Sequence, residues 1–220
     1  MSANFTLKSM AVTFQLGIRI FWVLCFSLLL FTDKIIFHKK INSFSTSFLD
    51  YVMQYLTYLG DGLFAVFLSV IILMRNTGLG IFILISYAVS ALITQVLKHT
   101  FFNTFHRPYF YFKDDATFHF IQGFQYHSHH SFPSGHATTC FAIFSMLAFY
   151  FNKKPTFQLL FLFLAILIAF SRVYLSQHFL QDIIAGSMIG YFSSYFIYSL
   201  LQTKFSPLNK PVFSYFKKQN

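Results

Sequence analysis

Six apolar runs, at about residues 15–32, 56–74, 78–98, 136–151, 156–171 and 179–201, fill most of this 220-residue chain. Each is near the roughly 17–25 residues a helix needs to cross the hydrocarbon core of a bilayer. Only 10% of the residues are charged, against roughly 25% in an ordinary water-soluble domain, so there is too little polar surface for a soluble fold. The expected architecture is therefore all-α, a six-transmembrane helical bundle forming one integral-membrane domain over residues 1–220. The breaks between runs carry turn-forming residues, as in Arg75-Asn76-Thr77-Gly78 and Asn152-Lys153-Lys154-Pro155. The first run follows Lys8 as a signal sequence would, but Phe31 leads into Thr32-Asp33-Lys34 without a small-residue cleavage pattern. It reads as an uncleaved first span.

The formal charge of +10 raises nucleic acid as a partner, but the cations are scattered and form no basic stripe. In a membrane protein such an excess fits cytoplasmic loops and anionic headgroups, so no nucleic-acid partner is expected. Cys25 and Cys140 lie inside apolar runs, with no metal-ligand spacing, and read as packed thiols. With six spans, both termini share a side with the 75–77 and 152–155 turns. That side holds Lys8, Arg19, Arg75, Lys153, Lys154, Lys204, Lys210, Lys217 and Lys218, and no acidic residue. The other side holds all six aspartates with Lys34, Lys39, Lys40, Lys98, Arg107, Lys113 and Arg172. The positive-inside bias predicts cytoplasmic termini.

On the opposite face, three stretches collect at span ends. Lys98 closes the third run and leads to Arg107-Pro108. Pro133-Ser134-Gly135-His136 opens the fourth, and Ser171-Arg172 closes the fifth, followed by His178 and Asp182. Alternating topology brings all of them to the non-cytoplasmic side, which the motif spacings do not require. His178 and Asp182 are four apart, so on a helix they share a face, about 40° apart. A carboxylate so placed can hold one imidazole nitrogen and leave the other free as a nucleophile. Proline, serine and glycine at a helix start suit an anion site made of free amides, with His136 beside it as a proton donor. Lys98, Arg107 and Arg172 would clamp the equatorial oxygens of a transferring phosphoryl group. Taken singly, each is also what snorkelling residues at helix ends look like.

Together these residues resemble the type 2 phosphatidic acid phosphatase family, whose site is shared with vanadium haloperoxidases. The family pattern is a Lys-to-Arg-Pro stretch, then Pro-Ser-Gly-His, then Ser-Arg, five residues, His, three residues and Asp. The second and third elements occur here without departure, at 133–136 and at Ser171, Arg172, His178 and Asp182. The core of the resemblance covers 98–182. It implies His178 as nucleophile, Asp182 as its partner, His136 as general acid, and Lys98, Arg107 and Arg172 as phosphate ligands, with donors from Ser134 and Gly135. It also implies turnover without a metal or other cofactor, and inhibition by vanadate.

One element departs from the pattern: eight residues separate Lys98 from Arg107 where the family has six. Nine steps along a straight helix turn by about 180°, so the two side chains would point apart. Either the backbone breaks near Asn103-Thr104, or His99 or Thr100 takes the place of Lys98. Asp61, in Gly60-Asp61-Gly62, reads as a supporting residue near the outer interface. His127, His129 and His130 read as a polar loop beside an anionic substrate rather than a metal site, since no acidic or cysteine ligand accompanies them. Tyr109 to Phe112 read as interface aromatics.

The function expected from this resemblance is hydrolysis of a lipid phosphomonoester or diphosphate by a membrane phosphatase. Undecaprenyl diphosphate, phosphatidic acid, phosphatidylglycerol phosphate and lipid A phosphate all stay open as substrates. The expected setting is the bacterial inner membrane, with the site facing outward. The alternatives are a vanadium-dependent haloperoxidase and a non-catalytic binder or transporter of anionic lipids. Transporters place polar groups near the bilayer midplane, whereas here they collect at one face.

Overall fold

The computed structural model describes residues 10–202, 211 and 212; Lys8, Lys204, Lys210, Lys217 and Lys218 of the charge count lie outside them. In hydrocarbon a backbone must satisfy its own polar groups, which favours helices. Among the described residues the regular elements are all helical: α1 (Val12–Phe31), α2 (Lys34–Asn42), α3 (Ser47–Leu56), α4 (Gly62–Arg75), α5 (Thr77–Val96), α6 (Pro108–Phe112), α7 (Gly135–Tyr150), α8 (Pro155–Tyr174) and α9 (Leu180–Leu201).

Four of these are long and apolar enough to cross a membrane: α1, α5 with its extension to Phe101, α8 and α9. The second apolar run is not one straight helix. The helical element that contains it starts earlier, at Ser47, tightens into a 3-10 turn at Thr57–Gly60, and breaks by 60° before α4. Asp61 makes the break. Its backbone is extended and its Oδ1 accepts from the Leu63 N–H at 2.9 Å, capping α4. Taken as one broken span, α3 and α4 bring the number to five. The remaining run is α7, whose 16 residues reach about 24 Å at ~1.5 Å per residue. That falls short of the ~30 Å hydrocarbon core.

α7 is the axis of the fold. Every residue from Ala137 to Phe149 is buried, against α9, α8 and α5. α9 lies close enough that a Cβ at Gly186 would meet the Ser134 carbonyl oxygen, and one at Gly190 the Thr138 carbonyl oxygen. Small residues at such a crossing let backbones approach where lipid supplies no hydrophobic drive. Hydroxyls join the helices further: Ser86 Oγ donates to Ser194 Oγ (2.9 Å), Ser194 Oγ to the Ala142 carbonyl (2.7 Å), and Trp22 Nε1 to Ser187 Oγ (2.8 Å). A Gly190→Leu substitution would wedge α9 off α7, and overpacking of this kind costs about 1–3 kcal/mol or more. The expected result is a melting midpoint in detergent lower by several degrees, while Phe192→Leu, on an exposed position of the same helix, leaves it unchanged.

Between the spans lie two segments that hydropathy does not mark. α2 is capped by Asp33, which accepts from the Ile35 and Ile36 N–H groups. It carries His38 into an aromatic nest of Phe112, Phe118 and Phe179. The long connection from 102 to 134, with α6 inside it, folds over the same end of the bundle. There Asn42 exchanges two hydrogen bonds with the backbone of His119 (both 2.9 Å).

Candidate active site

At that end, the last turn of α5 widens into a π-helical turn, Leu97–Phe101, closed by the Phe102 N–H on the Leu97 carbonyl at 3.0 Å. Lys98 sits in it, buried. The chain then leaves the helix through turns at 102–104 and reaches Arg107 in extended conformation, ahead of Pro108 at the start of α6. The backbone break is therefore the answer to the long Lys98–Arg107 spacing: both side chains line one cavity of about 740 Å³. His99 and Thr100, the alternatives to Lys98, are both exposed and lie outside its lining.

Pro133 and Ser134 lead into α7, where Ser134 caps by accepting the Ala137 N–H at 3.4 Å. Gly135 and His136, in the first turn, form the cavity wall. A Cβ built on Gly135 meets nothing within 4 Å, so the glycine faces open space. Ser134 does not reach the cavity. It is fully buried, and its N–H is donated to the Asp182 carbonyl at 3.0 Å. In this fold Ser134 caps α7 and fastens that helix to α9.

α8 delivers Arg172. Its Nη1 donates to Thr57 Oγ1 at 2.8 Å, and its Nε is buried without a partner. Its carbonyl accepts from the N–H groups of both Gln177 (3.0 Å) and His178 (3.1 Å), folding the α8–α9 connection back over the helix end. His178 thus precedes α9 rather than lying on it. The contact with Asp182 is still made, His178 Nδ1 to Asp182 Oδ2 at a long 3.4 Å. The same Oδ2 accepts from the Phe179 N–H (2.9 Å) and Ser131 Oγ (2.5 Å), so the carboxylate is held from three sides. Asp182 stands behind His178, fully buried and away from the cavity lining.

Arg107 is fixed just as closely. Its Nε donates to the His129 carbonyl (2.9 Å), and its Nη1 donates to Gln177 Oε1 (3.0 Å) and the Gln177 carbonyl (3.3 Å). The cavity therefore gathers Lys98, Arg107, Arg172, Gly135, His136 and His178, six of the eight residues expected from the sequence. Asp61, Gln54, Thr57, Tyr58, Gln95, Gln177 and a roof of Gln122 to Gln125 and His127 complete it. Burial, and then the charges of Arg107, Arg172 and Lys98, hold the His178 imidazole well below its ordinary pKa. Its Nδ1 lies on Asp182 Oδ2, and the ring lines the cavity wall. The same causes, burial and then Arg107 and Arg172, lower His127.

Of the other residues singled out in the sequence, His129 and His130 contribute backbone carbonyls to Arg107, not imidazoles to the cavity. Among the described residues no three of His, Cys, Asp and Glu converge as a metal site. Tyr109 stacks against Tyr126 and lies outside the cavity lining. Gln177, Thr57 and Ser131 were not foreseen. Nothing local distinguishes them, since each acts on a residue 51 to 115 positions away.

The sequence model of the PAP2 superfamily matches residues 79–206. The chain is 28% identical over 155 residues to phosphatidylglycerophosphatase B of Bacillus subtilis, covering 64% of this chain and 70% of that protein. It is 31% identical over 112 residues to a lipid A 1-phosphatase of Rhizobium johnstonii, covering 51% of this chain and 43% of that protein. The chain thus matches less than half the length of the Rhizobium relative. Two crystal structures share the fold. Aquifex aeolicus LpxE has a TM-score of 0.65 at 23% identity, over 74% of this chain and 93% of its own. A transmembrane PAP2-type phosphatidylglycerolphosphate phosphatase of Bacillus subtilis has a TM-score of 0.62 at 22% identity, over 86% and 96%.

Proposed function

The chain belongs to the PAP2 superfamily, and from that premise we propose that it is an integral membrane phosphatase that removes phosphate from a lipid through a phosphohistidine at His178. The observation that carries this reading is one cavity lined by His178, which is backed by Asp182, together with His136 and the three cations Lys98, Arg107 and Arg172. The relatives are named as phosphatases of lipid substrates, which supports a lipid phosphate here as well.

In the first step the free nitrogen of His178 attacks phosphorus in line with the leaving oxygen. The N–P bond forms as the P–O bond breaks, and His136 gives its proton to the departing oxygen. In the second step His136 takes a proton from water, whose oxygen attacks phosphorus and breaks the N–P bond. Phosphate leaves, and both histidines return to their starting states. Asp182 stabilises the imidazolium character that builds on His178. Lys98, Arg107 and Arg172 meet the charge spread over the equatorial oxygens, with the N–H groups at the start of α7 beside them.

In this reading residues 1–220 form one domain with six spans, α1, the broken α3–α4 pair, α5, α7, α8 and α9. The termini are cytoplasmic by the positive-inside bias, and the cavity opens outward from the inner membrane of a bacterium. An amphiphilic substrate then enters laterally while water comes from outside.

Gly135 offers a direct test of the anion cradle. A methyl group there projects into open space at the cavity wall, so Gly135→Ala should leave the melting midpoint unchanged or slightly raised. The rate of phosphate release should fall by about tenfold or more, since ~1 Å of misplacement is costly to an oriented reaction. The whole reading is tested by incubating purified protein with phosphatidylglycerol phosphate, phosphatidic acid, lipid A phosphate and undecaprenyl diphosphate. Released phosphate is measured, and a reaction quenched in base is mapped for phosphohistidine by mass spectrometry. Release from at least one lipid, with the modification on residue 178, is the expected result. Release without modified His178 would end the histidine mechanism.

A further inference from the structure

Gln177 stands immediately before the proposed nucleophile, is 1% exposed, and reaches the cavity wall. Its side chain uses both ends of its amide. Oε1 accepts from Arg107 Nη1 at 3.0 Å, and Nε2 donates to the Gln125 carbonyl at 3.0 Å. Its backbone carbonyl accepts from the same Nη1 at 3.3 Å, and its N–H is held by the Arg172 carbonyl at 3.0 Å. One residue thus joins α8 and its arginine, the guanidinium of Arg107, and the roof over the cavity.

The amide is the functional group this place requires. Arginine has donors only and a backbone carbonyl accepts only, so the bridging group must accept on one side and donate on the other. A carboxylate would set oxygen against the Gln125 carbonyl and also cancel a positive charge meant for the substrate. An amide orients Arg107 and leaves its charge intact. The guanidinium is planar and binds two oxygens only when correctly turned, so its orientation matters as much as its presence.

We propose that Gln177 is a positioning residue for phosphate binding: it sets the plane of Arg107 toward the phosphoryl oxygens and ties that orientation to the Gln125 segment of the roof. The proposal rests on the phosphatase reading for its kinetic consequence, but not for its binding consequence, because any tetrahedral or trigonal-bipyramidal oxyanion in the cavity meets the same arginine.

The experiment is a double-mutant cycle of Gln177→Met and Arg107→Ala, with orthovanadate affinity by calorimetry as the first readout and kcat/KM on a lipid phosphate as the second. Methionine preserves the length and volume of the side chain and removes both polar contacts. Gln177→Met should weaken vanadate about tenfold in the wild-type background and less than twofold in the Arg107→Ala background, because the arginine it acts through is gone. The loss in kcat/KM should match the loss in vanadate affinity. Equal losses in both backgrounds would make Gln177 a packing residue and overturn the proposal, as would wild-type affinity in Gln177→Met. Circular dichroism and melting in detergent check that both variants fold. Vanadate binding with no phosphate released from any lipid would instead count against the phosphatase reading, leaving the coupling to decide the role of Gln177.

Discussion

Replacing His178 by asparagine should lower phosphate release by on the order of 10⁴-fold or more, and the base-stable phosphoenzyme should vanish with it. Removing the nucleophile from a set of groups that act as a unit costs nearly the whole chemical contribution. Asparagine is close in size to the imidazole and can still donate to Asp182 Oδ2, so the carboxylate keeps all its partners and the α8–α9 connection keeps its shape. The loss therefore belongs to chemistry rather than folding, which an unchanged melting profile will verify. Vanadate should still bind that variant through Lys98, Arg107 and Arg172, although less tightly, since the bond to nitrogen is gone. Turnover equal to wild type would exclude covalent catalysis by this residue.

The second large effect concerns Arg172. It is buried, with one hydrogen bond to Thr57 and an unpartnered Nε, and it shares a cavity with Lys98 and Arg107. A buried charge so sparsely compensated bears a desolvation cost that opposes folding, and a methionine of similar length bears none. The same guanidinium would face the charge that develops on phosphorus, where loss of one fixed donor costs about 10²–10³-fold. Arg172→Met should therefore lose about 10³-fold in kcat/KM while melting at the same temperature or higher. Phosphate or vanadate should raise the melting midpoint of the wild type more than that of the variant, because the anion relieves the repulsion that the variant lacks. A variant that melts well below wild type would show that Arg172 holds the fold together, contrary to this argument.

The parts of the site legible in the sequence are those set by short-range rules. Ser134 caps α7 because a serine before a glycine and an apolar run has a local bond to make, and the structure shows that bond. His178 and Asp182 meet because a four-residue offset at a helix start keeps them close, although the helix begins only at Leu180. The span ends were legible because apolar runs stop where polar residues start. The break at Asp61 was only half legible. Gly60-Asp61-Gly62 is a stop-and-cap signal, but the apolar run continues through it, and hydropathy alone draws one straight helix. The first part of that element, α3, and the separate α2 lay in sequence too polar or too short to read as spans.

What the sequence determined on its own was the helical membrane architecture and the residue types that line the proposed phosphate site, since both follow from local composition and spacing. Tertiary structure decided whether that inventory could work together. The π-turn at Leu97–Phe101 and the exit at 102–107 bring Lys98 and Arg107 into one cavity, where helical periodicity alone would have parted them. Packing also withdrew Ser134 from the cavity and brought Gln177 into it. Those outcomes rest on contacts between segments dozens of residues apart, held by burial and by glycines that let α9 settle against α7, and no local pattern encodes such contacts.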